Sequence, residues 1–307
     1  MGARIEAVAG VVSGGGLLPR GARALADEAI ARCLERAGED PSAVGLLINA
    51  GIYREENLEE PALAAMIQQD VEMNPGGGVH PEHQGTFSFD LGHGGVGVVT
   101  SMHLIDGFIA GRSIERGVVV ASDVDPGPRA TPGYAFPRAG AALLLGPGDD
   151  REGLVEIATA TFPEDASLFE TRIRWHDELR RHVWSKPGAQ AVELHEDPAY
   201  MRHAIERSEP VIAALLDRHG LKPGDLDLVL PSQQPRGYPA ELAHVLSVPR
   251  ERVIDLDGPA RGAHTAGPLL ALERAMESDT WRSARHVLFA TVGAGLTVAL
   301  ALYRRAG

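Results

Sequence analysis

Apolar positions along the chain fall into short continuous runs and longer stretches of helical character. Ile5 to Val12, Val118 to Ser122, Gly140 to Leu145, His286 to Thr291 and Leu296 to Leu302 predict buried strands. Ala22 to Arg36, Val96 to Gly111 and Gly267 to Glu277 predict helices. The longest uncharged run, Val287 to Tyr303, approaches membrane-spanning length, but Gly293, Gly295 and two threonines interrupt it. Two buried strands around a glycine turn fit it better than a span.

One stretch recurs. Leu34-Glu-Arg-Ala-Gly38-Glu-Asp-Pro41-Ser-Ala-Val44-Gly-Leu-Leu-Ile48 resembles Leu216-Asp-Arg-His-Gly220-Leu-Lys-Pro223-Gly-Asp-Leu226-Asp-Leu-Val-Leu230 at a constant offset. Each copy reads as a helix end, a left-handed glycine cap, a proline that blocks continuation, and a buried strand. The chain therefore divides into halves, 1–150 and 151–307. Each half has the expected order strand, helix, strand, helix, strand, helix, strand, strand. Such alternation predicts helices covering mostly parallel sheets. Phe162 to His195, with Trp175, Trp184, many charges and little periodicity, reads as an insertion in the second half: a substrate mouth, a partner surface or a plain surface excursion.

Hydrophobic residues make up 44% of 307 residues and charged residues 23%, which excludes a disordered chain and a disulfide mini-scaffold. The net charge of -13, with no basic stripe, argues against nucleic acid as a partner. Cys33 is the only cysteine, so intramolecular disulfides and multi-cysteine metal sites are excluded and a reducing cytoplasm is expected. No signal peptide is legible at the N-terminus, and no membrane association is expected.

The duplicated halves, Ser88-Phe89-Asp90-Leu91 before a glycine-rich helix start, and Val292-Gly293-Ala294-Gly295-Leu296-Thr297 resemble the thiolase superfamily, most nearly its β-ketoacyl-acyl-carrier-protein synthase III branch. The resemblance runs from Ile5 to Arg305. It implies an α/β fold, a thiolase-like duplicated five-layer sandwich of two mixed, mostly parallel sheets. It also implies a dimer formed by continuing a central sheet across a two-fold. Family members join acyl thioesters through a cysteine at a buried helix N-terminus, with a histidine and an asparagine. A helix N-terminus lowers a thiol pKa and offers N–H groups to an oxyanion.

Here the resemblance places Gly95 at the cysteine position, Ser232 at the histidine position, and the asparagine position within Gly262-Ala263-His264-Thr265. Cys33, inside a predicted helix, reads as a small buried hydrophobe. Only Ser13 to Arg20 bridge the first strand and first helix, where the family carries a coenzyme A-binding insertion.

His93, Ser232 and His264 remain as candidates for proton or nucleophile chemistry. Each also has a plain reading: a turn histidine, a strand-end serine, and a histidine without a serine in reach. The backbone N–H groups of Gly95 and Gly293 are candidates for an oxyanion hole, or are glycines for close packing. Asp123 and Asp125 read as pocket-capping, as dimer surface, or as solvated turn residues. No metal site is predicted, because His80 and His83 lack a carboxylate cluster. Glu55, Glu56, Glu59 and Glu60 read as a solvated helix entry. No phosphate-binding or dinucleotide fingerprint is present, and no cofactor is expected.

Three functions follow as expectations. The first is a cysteine-free subunit of a heteromeric synthase, handling acyl thioesters of acyl-carrier protein or coenzyme A in fatty-acid or polyketide-type biosynthesis. The expected assembly is a homodimer, or a heterodimer with a catalytic synthase homologue. The second is a cysteine-independent acyltransferase or thioester hydrolase. The third is an acyl or polyketide binding protein.

Overall fold

The computed structural model describes residues 2–13, 20–54, 61–74, 85–126, 134, 136–174 and 191–306. His80, His83, Glu55, Glu56, Glu59, Glu60, Trp175 and Trp184 lie outside the described residues.

The first half runs β1 (Ala3–Val12), α1 (Ala22–Ala37), β2 (Leu46–Asn49), α2 (Leu63–Asp70), β3 (Phe87–Asp90), α3 (Gly97–Ala110), β4 (Gly117–Asp123) and β5 (Ala139–Pro147). The expected order is met element by element. In the second half β6 (Gly153–Thr161) is followed by β7 (Phe169–Arg174) and β8 (Ala191–Glu196). Then come α4 (Tyr200–Arg218), β9 (Leu228–Pro231), α5 (Tyr238–Val245), α6 (Gly267–Met276), α7 (Asp279–Ser283), β10 (His286–Gly293) and β11 (Thr297–Arg304).

Among the described residues one expected strand of the second half does not form. Where the first half has β3 beside β2, the second half has a single parallel bridge between Val229 and Val253. Proline and charged residues flank that point at Pro249, Arg250, Glu251 and Arg252, and a 3₁₀ turn replaces a ladder there.

Five strands form one sheet in the order β1-β5-β4-β2-β3, and four form another in the order β6-β11-β10-β9. Both are mixed. β2 runs parallel to β3 and β4, and β9 parallel to β10. β4 with β5 and β10 with β11, consecutive in the chain, are antiparallel, the second pair across a three-residue turn. The uncharged run ending at Tyr303 is this last hairpin.

Helix patterning sets the layers. Leu25, Ala26, Ala29, Ile30, Cys33 and Leu34 make one buried stripe of α1, which packs on the outer face of the first sheet with α2. Tyr200, Ala204, Ser208, Ile212 and Leu215 do the same for α4 on the second sheet. Helices α3 and α6 lie in one core with the inner faces of both sheets, which makes the five-layer sandwich.

The two repeat copies are superposable in logic. Gly38 caps α1 at φ 69° and Gly220 follows α4 at φ 65°, a region open to glycine, and each is followed by a proline-led 3₁₀ turn and a buried strand.

The insertion carries more order than its sequence suggests. β7 and β8 pair antiparallel as a separate two-stranded sheet, from Phe169 opposite Glu196 to Arg174 opposite Ala191.

Candidate functional site

A cavity of about 270 Å³ lies beyond the carboxyl ends of β2, β3, β9 and β10. Ligands of parallel α/β sheets bind at such ends, where loops diverge and leave a crevice. The first half contributes Ile52 and Tyr53 after β2 and Gly92, Gly94 and Gly95 after β3. The second contributes Ser232 and Gln234 after β9, His264 before α6, and Val292, Gly293 and Ala294 at the end of β10. Phe169 and Thr171 of the insertion, with Glu196 just after it, close one side.

Short hydrogen bonds hold these loops. Asp90 of β3 accepts from Leu63 N and Ala64 N, both at 2.8 Å, which satisfies the free N–H groups at the start of α2. Asp123, at the end of β4, is buried, contrary to its reading as a solvated turn residue. Its Oδ2 accepts from Thr265 N at 2.7 Å, Thr265 Oγ1 at 2.6 Å and Ala266 N at 3.2 Å. Because Thr265 and Ala266 open α6, this carboxylate ties the first half to the start of the second half's central helix.

Gly95 stands in a 3₁₀ turn, Gly94–Val96, that leads into α3. A side chain there would begin 2.3 Å from the carbonyl oxygen of Val292, so the position is closed to any residue with a Cβ unless β10 moves. The converse holds across the gap, where a side chain on Gly293 would begin 3.2 Å from Gly95 N. The two glycines therefore pack backbone to backbone, and both border the cavity.

His93 does not line the cavity; its Nδ1 is 2.9 Å from Thr100 Oγ1, and Thr100 donates in turn to Val96 O at 3.1 Å. The glycine-rich turn directs it toward the first turns of α3. Ser232 lines the cavity and is buried, with Oγ accepting from Val292 N at 3.0 Å. No hydrogen bond joins it to His264 among the described residues.

His264 lines the cavity with its ring edge-on to Tyr53 at 4.6 Å between centroids. Desolvation pushes its pKa down against the opposing charge of Asp123, which leaves a neutral imidazole at neutral pH. Among the described residues its buried Nδ1 has no hydrogen-bond partner, nor has the buried hydroxyl of Tyr134.

Sequence reasoning missed the aromatic part of this wall. Tyr53, Tyr134, Phe169 and Tyr200 line the cavity, although they come from four separate segments. Phe136 joins them through Tyr53 at 5.0 Å and Tyr134 at 4.8 Å. Burial pushes the phenol pKa of each tyrosine upward, so all three stay neutral hydroxyls. Desolvation likewise raises the Glu196 carboxyl at the rim. The one signal available was scarcity: aromatic residues are 5% of the chain, with five tyrosines in all.

The sole thiol is elsewhere. Cys33 is buried under α1 with Sγ 3.4 Å from Ala7 O, and desolvation pushes its pKa up to about 12. Among the described residues no cluster of three metal-ligating side chains occurs, and no helix is long and apolar enough to cross a membrane.

Residues 216–305 match the family described as the C-terminal part of 3-oxoacyl-[acyl-carrier-protein] synthase III. The chain is 28% identical over 234 residues to hydroxymethylglutaryl-CoA synthase of Pyrobaculum aerophilum, a match covering 75% of this chain and 58% of that protein. It is 26% identical over 293 residues to β-ketoacyl-[acyl-carrier-protein] synthase III of Paramagnetospirillum magneticum, covering 91% and 83%. The crystal structure of 3-oxoacyl-[acyl-carrier-protein] synthase III from Aquifex aeolicus superposes with a TM-score of 0.79 at 16% identity, covering 99% of this chain and 100% of that one. The chain thus has the fold of the synthase III structures, and its sequence resembles the thiolase superfamily at its β-ketoacyl-acyl-carrier-protein synthase III branch.

Proposed function

We propose that this protein handles acyl thioesters of acyl-carrier protein or coenzyme A in fatty-acid or polyketide-type biosynthesis, without forming an acyl-cysteine. It acts as a non-condensing subunit beside a catalytic homologue. The observation that carries this reading is the contact at Gly95, where the Val292 carbonyl oxygen occupies the space a nucleophile's Cβ would need, 2.3 Å from its position. A helix N-terminus lowers a thiol pKa, but that effect requires a thiol there, and Cys33 is shielded on the far face of the first sheet. The cavity nonetheless persists at the strand ends, bordered by the Gly95 and Gly293 backbones, which supports binding without condensation.

Incubation with a panel of acyl-carrier and coenzyme A thioesters, followed by intact-mass and product analysis, tests this. The expected result is non-covalent binding with no mass gain and no condensation product, together with co-purification of a homologue carrying the complete Cys-His-Asn set. Turnover by the isolated protein would overturn it.

One observation favours a second reading, a cysteine-independent acyltransferase or thioester hydrolase. Ser232 and a neutral His264 both line the cavity. Turnover lost in His264→Ala would establish that reading in place of the first.

A further inference from the structure

The cavity's lining is unusual for this chain in one respect. Aromatic residues are 5% of the sequence, yet three of its five tyrosines, Tyr53, Tyr134 and Tyr200, line this one space with Phe169 and the His264 ring. They already pair with each other at the separations rings prefer: Tyr53 to His264 at 4.6 Å and 82°, and Phe169 to Tyr200 at 5.3 Å. No lysine or arginine lines the cavity among the described residues, so a carboxylate-bearing acyl group would find no counter-charge.

Volume narrows the ligand further. The space of about 270 Å³ is larger than the ~150 Å³ cavity that holds a benzene molecule and below the range of most drug-sized pockets. That is room for a six-membered ring with its linkage.

We propose that the cavity selects a compact, uncharged aromatic acyl group, an aroyl thioester, by inserting its ring among Tyr53, Tyr134, Phe169, Tyr200 and His264. The selection is electrostatic as well as steric. Ring edges carry partial positive charge and faces partial negative charge, so an aromatic guest gains edge-to-face contacts that a saturated ring of the same size does not. This inference rests on the thioester-handling reading above and specifies its ligand.

The test is calorimetric titration of the full chain with pantetheine thioesters of benzoic, cyclohexanecarboxylic, hexanoic and succinic acids. Two additional ring pairs correspond to about tenfold in Kd, so benzoyl is expected to bind about tenfold more tightly than cyclohexanecarbonyl. The succinyl thioester is expected to bind weakest. Phe169→Leu should narrow the benzoyl to cyclohexanecarbonyl ratio toward unity, and the wild-type ratio decides the matter if that variant does not fold. Equal affinity for the two rings, or tighter hexanoyl or succinyl binding, overturns the aromatic selection while leaving thioester handling intact. No binding of any thioester overturns both.

Discussion

The carbonyl oxygen of Val292 lies 2.3 Å from the point where a side chain on Gly95 would start, so the last turn of β10 and the entry to α3 are in backbone contact across the two halves. Nothing flexible stands between them that could yield. Gly95→Ala should therefore destabilise the fold by about 1–3 kcal/mol through overpacking, read as a lower urea midpoint. Gly95→Cys should cost at least as much and remain unacylated by thioesters in intact-mass analysis. A cysteine variant of wild-type stability would show that the contact relaxes freely and would remove the main support for a non-condensing role.

Asp123 is the second link between halves. Its Oδ2 serves the Thr265 N–H, the Thr265 hydroxyl and the Ala266 N–H at once. Asp123→Ala would leave these donors without their shared acceptor in a buried place, at an expected cost of about 2–4 kcal/mol. Asp123→Asn keeps the shape and loses the charge, so it should fall between. Thermal melts rank the three proteins, and Asp123→Ala within 0.5 kcal/mol of wild type would contradict the clamp.

Much of this architecture was legible because its determinants are local. The cap glycines Gly38 and Gly220, the prolines that follow them, and the continuous apolar strands identify the repeat without any tertiary information. Asp123 was not legible, because a carboxylate on a loop and one buried against a helix start have the same sequence. Its partners Thr265 and Ala266 lie in the other half. The same holds for the cavity wall, which gathers Tyr53, Tyr134, Phe169 and Tyr200 from both halves and the insertion. The direction of His93 was not legible either, because the partner that orients its ring beside α3, Thr100, is one of many polar residues in reach along the sequence.

Away from the cavity, Asp27 of α1 supplies a pH-dependent term. Burial first, then the charge and hydrogen bond of Asp70, push its carboxyl up to about 7, while Arg23 pulls the other way. Because the folded state holds this proton more tightly than the unfolded chain, the advantage is full below about pH 4, erodes as pH rises, and is gone above about pH 7. Asp70 is pulled below its usual range by Arg23, so its own contribution is lost only at lower pH and does not overlap. Asp27 is only partly buried, so screening by water keeps the effect to about 1 kcal/mol. Asp27→Asn should thus be about 1 kcal/mol more stable than wild type at pH 8 and show a flatter profile between pH 4 and 7. Urea titrations at pH 4.5, 6 and 8 measure the difference.

Cys33 should be chemically silent in the folded protein. With its pKa at about 12, the thiolate that attacks alkylating agents is scarcely populated at neutral pH, and α1 shields it from solvent. Iodoacetamide at pH 8 should modify the chain only after denaturation, and Cys33→Ala should leave thioester binding unchanged. Rapid labelling of the native protein would place the thiol within reach of substrates and reopen it as a nucleophile.

β3 forms the outer edge of the five-stranded sheet, and its first residue, Phe87, is 58% exposed with its ring 5.2 Å from that of Phe89. An edge strand that presents unpaired backbone groups and exposed rings is a template for pairing with another strand unless something blunts it. No charged residue occurs in Phe87-Ser88-Phe89 to do so, and the charge of Asp90 is engaged at the start of α2. We therefore expect a dimer in which β3 of one copy extends the sheet of a second copy or of a homologue. Phe87→Asp places a charge on that edge and should convert the species seen by light scattering at micromolar concentration to a monomer with an unchanged melting profile for the protomer. A wild-type monomer under those conditions, or a dimer indifferent to Phe87→Asp, would move the interface away from β3.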